Sequence, residues 1–151
     1  MIYRRMPNIK EVYGLQVRVN INYISAERFW GHDQPAPGGL HISTNVNIVG
    51  VEPNKEKLTV PFVVTIGYTP SVAQISIKGQ AFISGSPEEL KKIQQHYKDK
   101  KAPPPMLLQA IANTSLVEAT IVSRSLSIPP PLPIPGIPKQ RPDKERPSYV
   151  G

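Results

Sequence analysis

From Leu15 the chain alternates strictly between apolar and polar residues. Leu15, Val17, Val19, Ile21 and Tyr23 fall on one side, and Gln16, Arg18, Asn20 and Asn22 on the other. A period of two sustained over this length predicts a half-buried β-strand. Phe29-Trp30 then opens a connection, GHDQPAPGG, whose prolines and paired glycines forbid regular structure. A second alternating run, Ile42, Thr44, Val46 and Ile48, ends near Glu52-Pro53. After Asn54 to Lys57 comes the strongest strand pattern, Leu58, Val60, Phe62, Val64, Ile66 and Tyr68. Pro61 removes one ladder donor, so this strand is expected to start at an edge or to carry a local irregularity. Thr69-Pro70-Ser71 reads as a turn, and Ile75, Ile77, Ala81 and Ile83 as a fourth strand with Gly79 as a candidate bulge. Four consecutive strands joined by short connections imply an antiparallel meander, because parallel pairs need long crossovers.

The period then changes. Ser86-Pro87-Glu88-Glu89 is a helix start: Ser86 caps, Pro87 suits the first helical position, Glu89 completes a capping box and both acids favour the dipole. This polar helix is expected to run to about Lys100, where Pro103-Pro104-Pro105 ends it. A second helix, from about Met106 to Leu126, carries Leu108, Ile111, Ala112, Ser115, Ala119, Val122 and Leu126 at helical spacing. Its small residues allow close approach to a sheet, and part of its surface could meet a second subunit. The expected class is therefore α+β: a four-stranded antiparallel meander with a short polar helix and one long helix packed on it. Residues 129–151 form an extended, proline-rich basic tail, residues 1–11 a basic arm, and residues 12–128 the domain between them.

Composition sharpens the picture at the ends. Eighteen of the 151 residues are proline, and the net charge is +7 from 18 Lys and Arg against 11 Asp and Glu. Such an excess favours phosphate backbones, anionic surfaces or acidic proteins as partners. The absence of cysteine excludes disulfides, thiolate metal sites and a cysteine nucleophile. No uninterrupted apolar run approaches a bilayer span, and MIYRRMPNIK lacks the apolar stretch of a secretory signal, so a cytoplasmic protein is expected.

Catalytic chemistry needs clustered ligands or matched acid–base groups. His32, His41 and His96 are scattered, and neither a phosphate-cradling glycine loop nor a nucleophile elbow is present. A non-enzymatic protein with no cofactor, no metal and no small-molecule substrate is expected. Three basic clusters remain: Arg4, Arg5 and Lys10; Lys91, Lys92, Lys98, Lys100 and Lys101; and Lys139, Arg141, Lys144 and Arg146. The middle cluster reads equally well as a solvated helix face. The terminal clusters lie beside prolines in segments unable to fold alone, free to track phosphates.

The order of elements from Val12 to Pro138 resembles the SecB family of protein-export chaperones. Three stretches carry the likeness: Phe29-Trp30 followed by Pro35 and an alternating strand, the strand ending AFISG, and the helix end IVSRSLSIPPPLPIPGI. The resemblance implies a tetrameric chaperone holding unfolded polypeptides in apolar grooves, with Phe29, Trp30, Leu132, Ile134 and Ile137 as the groove positions. The family is acidic and carries a further C-terminal helix, whereas this chain is basic and ends in a tail.

Two functions follow. The preferred one is a structural subunit of a ribonucleoprotein, an archaeal-type ribosome foremost, with Arg4, Arg5, Lys10, Lys139, Arg141, Lys144 and Arg146 laid on RNA. The alternative is a SecB-like homo-oligomeric chaperone whose partner is unfolded polypeptide.

Overall fold

The computed structural model describes residues 14–35 and 37–131. Five strands, β1 (Leu15–Arg28), β2 (His41–Ile48), β3 (Glu52–Asn54), β4 (Lys57–Thr69) and β5 (Ala73–Gly85), precede two helices, α1 (Pro87–Lys98) and α2 (Pro105–Ser125). The sheet is antiparallel in the order β1-β5-β4-β2, with short β3 also pairing β4. The α+β class and the two helices agree with the sequence pattern.

The strand order corrects the expected meander. β1 pairs with β5, the last strand, and not with β2. This is a Greek-key arrangement, in which one strand returns beside the far end of a three-strand run. The connection from Phe29 to Leu40 makes it possible, since a dozen extended residues span roughly 40 Å. The most apolar strands, β4 and β5, take the centre, and the Asn-bearing strands β1 and β2 become the edges.

Pro61 lies in a central strand, not at an edge. Its carbonyl accepts from Val49 N at 2.9 Å, on the side where β2 has ended and β3 has not begun. Its missing donor therefore meets a break in the neighbouring ladder.

The bulge sits on β1, between Ile21 and Tyr23, opposite Gly79. A Cβ at Gly79 would collide with the Asn20 carbonyl and lie 2.8 Å from Phe62 Cζ, so only glycine fits there. The extra residue reverses the alternation. Ile24 and Ala26 pair with inward Ile77 and Ile75, whereas Tyr23 leaves the expected inner stripe and stacks on Lys78.

The core lies between the sheet and the helices, around Leu58, Val60, Phe62, Val64, Ile66, Ile75, Ile77 and Ile83. α1 contributes Leu90 and Ile93. Ser86 Oγ accepts from Glu89 N at 3.3 Å, as the cap requires. The Glu89 carboxylate, however, lies against Gly14, where an added Cβ would be 2.6 Å from Oε1.

α2 buries Leu107, Ile111, Ser115, Ala119 and Ser123, a row at every fourth residue. Leu107 thus replaces Leu108 as the buried leucine of the expected stripe. Ser115, Ala119 and Ser123 have no exposed surface, which places the helix backbone close to the sheet.

Candidate functional site

Arg28 ends β1 and ties three segments together. Its Nε donates to Trp30 O at 3.0 Å and Nη2 to Gly31 O at 3.2 Å, fixing the start of the β1–β2 connection. Its Nη1 donates to Leu126 O at 3.2 Å and Ser127 O at 2.9 Å, beyond the C-terminus of α2. A cation there complements the helix dipole and the unpaired last carbonyls. The same guanidinium stacks 3.7 Å from the Trp30 ring centroid.

The helix end is a Schellman motif. Ile128 N donates to Ser123 O and Ser127 N to Arg124 O, with Ser127 at φ 52° and Ile128 buried beneath. Tyr68 OH then donates to Pro129 O at 2.5 Å, anchoring the root of the proline-rich exit. Burial pushes the Tyr68 phenol above its ordinary pKa. The structure thus brings Trp30 and the exit to one corner, where the Trp30 ring is engaged by Arg28 and Phe29 projects half-exposed. Leu132, Ile134 and Ile137 lie outside the described residues.

A different surface forms at the other end of α2. Among the described residues β2 pairs only with β4, which leaves its second edge open. The bond from Val49 N to Pro61 O extends the β2–β4 register, making Asn47, Asn45 and Ser43 the residues hydrogen-bonded to β4. Ile42, Thr44, Val46 and Ile48 therefore direct their N–H and C=O groups to the open edge.

Beside that edge lies a groove of about 620 Å³ lined by Val46, Asn47, Ile48, Tyr97, Lys98, Lys100, Lys101, Pro103 and Leu108. Tyr97 OH donates to Val49 O at 3.0 Å and fixes the end of α1 against the end of β2. A smaller apolar hollow lined by Val51, Ile93 and Leu107 adjoins it and shares Ile48, Tyr97, Lys101 and Pro103. An unpaired strand edge next to an apolar wall is suited to an extended chain, which adds as a further strand and lays alternate side chains in the larger groove.

Sequence reasoning missed this groove because its walls come from three separate stretches. The usable signal was the cluster Lys98, Lys100 and Lys101 directly before the prolines. Lys91 lines a separate hollow by Leu58 and Pro87. Arg4, Arg5, Lys10, Lys139, Arg141, Lys144 and Arg146 lie outside the described residues. Among the described residues, no three His, Asp or Glu side chains converge as metal ligands.

A third feature is the outward face of α2, where Met106, Val117 and Ile121 are exposed. By length and mean hydropathy this helix would suffice to cross a bilayer, yet its other face is buried on the sheet.

No family model matches the chain, and no curated protein matches it in sequence. Among solved structures it is similar to the SecB-like chaperone Rv1957 of Mycobacterium tuberculosis, solved in complex with a ChAD peptide from the antitoxin HigA1. The TM-score is 0.54 at 16% identity, over 82% of this chain and 92% of that one. This likeness overturns the preferred expectation of an archaeal-type ribosomal subunit: the fold neighbour is a peptide-bound chaperone, and the RNA-binding expectation has no counterpart in it. With its Greek-key sheet, the helix pair on one face and this structural match, the chain has a SecB-like fold.

Proposed function

We propose that the protein is a non-catalytic, SecB-like chaperone that binds extended segments of unfolded polypeptide in the cytoplasm. The observation that carries this reading is the open edge of β2 beside an apolar groove, in a fold whose solved neighbour holds a peptide. Backbone pairing to Ile42, Thr44, Val46 and Ile48 supplies affinity that is indifferent to client sequence. Val46, Ile48, Pro103 and Leu108 along the groove supply apolar burial worth about 25 cal/mol per Å².

Self-association belongs to the same reading. Val117 and Ile121 sit one turn apart on the uncovered face of α2, and exposed apolar surface of this kind marks a contact with another protein. Val117→Asp combined with Ile121→Asp is expected to convert an oligomer to a monomer in size-exclusion chromatography with light scattering, while the far-ultraviolet circular dichroism stays unchanged.

The test of function is suppression of aggregation of a chemically denatured client by the full chain. Protection at near-stoichiometric ratio is expected, and it should persist after removal of residues 1–11 and 139–151. A chain that leaves client aggregation unaltered contradicts the proposal.

A further inference from the structure

The groove beside β2 has a property that an all-purpose apolar groove does not need. Lys98, Lys100 and Lys101 all line it, and the one carboxylate among them, Asp99, accepts from Gln95 Nε2 at 3.1 Å. Lys98 has an ordinary explanation, since a cation in the last turn of α1 complements the dipole. Lys100 does not. α1 ends in a Schellman motif, with Lys101 N donating to His96 O at 2.8 Å and Lys100 N to Tyr97 O at 3.1 Å. In that motif Lys100 occupies the left-handed position at φ 56°, where glycine is the usual residue because a Cβ is disfavoured. A lysine stands where the backbone favours glycine, beside the open edge of a strand. Lys101, the next residue, closes the motif through its backbone N–H, so its side chain is not needed to end the helix.

We propose that this groove selects clients by charge, taking extended segments that carry acidic residues among apolar ones. The inference rests on the chaperone reading and specifies its substrate class. Apolar side chains enter against Leu108 and Pro103, the backbone pairs with β2, and carboxylates meet the three lysines. Each exposed pair is individually weak and salt-sensitive, but three around one groove act together and also raise the encounter rate. The basic ends of the chain attract acidic peptides as well, so the test separates them from the groove.

Three fluorescein-labelled synthetic peptides of equal length and identical apolar residues carry Glu, Gln or Lys at the intervening positions. Fluorescence anisotropy with the full chain is expected to show the Glu peptide binding about tenfold more tightly than the Gln peptide, and the Lys peptide most weakly. In 1 M salt, where the Debye length is about 3 Å, the Glu advantage should shrink several-fold. The combined variant Lys98→Gln, Lys100→Gly and Lys101→Gln should lose the preference, its affinity for the Glu peptide falling to that for the Gln peptide. Its folding is verifiable by thermal melting, because Lys100→Gly relaxes the backbone. Equal affinities for the three peptides overturn the charge selection and leave the chaperone reading standing. A preference that survives the triple variant assigns it to the basic ends and also overturns the proposal. Failure of all three peptides to bind, together with unprotected client, overturns both.

Discussion

At the C-terminal end of α2, Arg28 spends its hydrogen-bonding capacity on four backbone carbonyls and its flat face on Trp30, while Tyr68 holds Pro129. At the N-terminal end, a strand edge, an apolar floor and three lysines face outward. The first region is rich in residues that attract notice in a sequence: an arginine, paired aromatics and a proline run. It is largely satisfied by its own chain. The second is made of ordinary residues, and its unfilled hydrogen-bonding positions are what suit it to a partner. Conspicuous residues mark where a fold is locked, and binding capacity resides where backbone groups stay unpaired.

This contrast can be broken by mutation. The largest effect is expected from Arg28→Ala, which frees the Trp30 loop and leaves the Leu126 and Ser127 carbonyls without their donor. A loss of about 2 kcal/mol should appear in urea denaturation, a figure kept modest because part of the network is solvent-exposed. If Arg28→Ala instead abolishes client binding without loss of stability, the corner is a binding site and the contrast fails.

Tyr68→Phe comes next, with a cost of about 1 kcal/mol for the lost bond to Pro129. It also carries a pH signature. The folded phenol titrates above its unfolded value of about 10, so its contribution is fully present below that pH. The contribution is lost as pH rises from the unfolded value through the raised folded one, where the unfolded state ionises first. Wild-type stability should therefore fall above pH 10 more steeply than that of Tyr68→Phe, as read by denaturation at stepped pH.

The smallest effect, and one of opposite sign, is expected at the groove. Lys100→Gly should stabilise the chain by about 0.5 kcal/mol, because it removes a side chain from a left-handed position. A measured loss of stability would show that Lys100 is held by contacts within the fold and is not spare for a partner.

Much of the fold was legible because period-two alternation survives in β1, β4 and β5, and because Ser86-Pro87 marks the α1 start chemically. The strand order was not, since the Phe29–Leu40 connection is long enough to reach either side of the sheet. Tyr23 was misassigned because the β1 bulge leaves no residue signature on its own strand; the glycine that permits it, Gly79, lies on the partner. Both helix ends were legible to within two residues, but not their Schellman turns, which use Lys100 and Ser127 where glycine would have announced them. At the candidate site, Trp30 was visible as an aromatic but not its engagement by Arg28. The groove was invisible because β2, the end of α1 and the start of α2 meet only in three dimensions.

The central claim is that the open edge of β2 receives extended polypeptide. Amide hydrogen exchange of the full chain, read residue by residue with and without a permanently unfolded client, tests it most directly. The account predicts that the outward amides of Ile42, Thr44, Val46 and Ile48 gain protection on client binding, while those around Trp30 and Ile128 change little. Protection confined to the Trp30 corner, with the β2 edge unchanged, would contradict it.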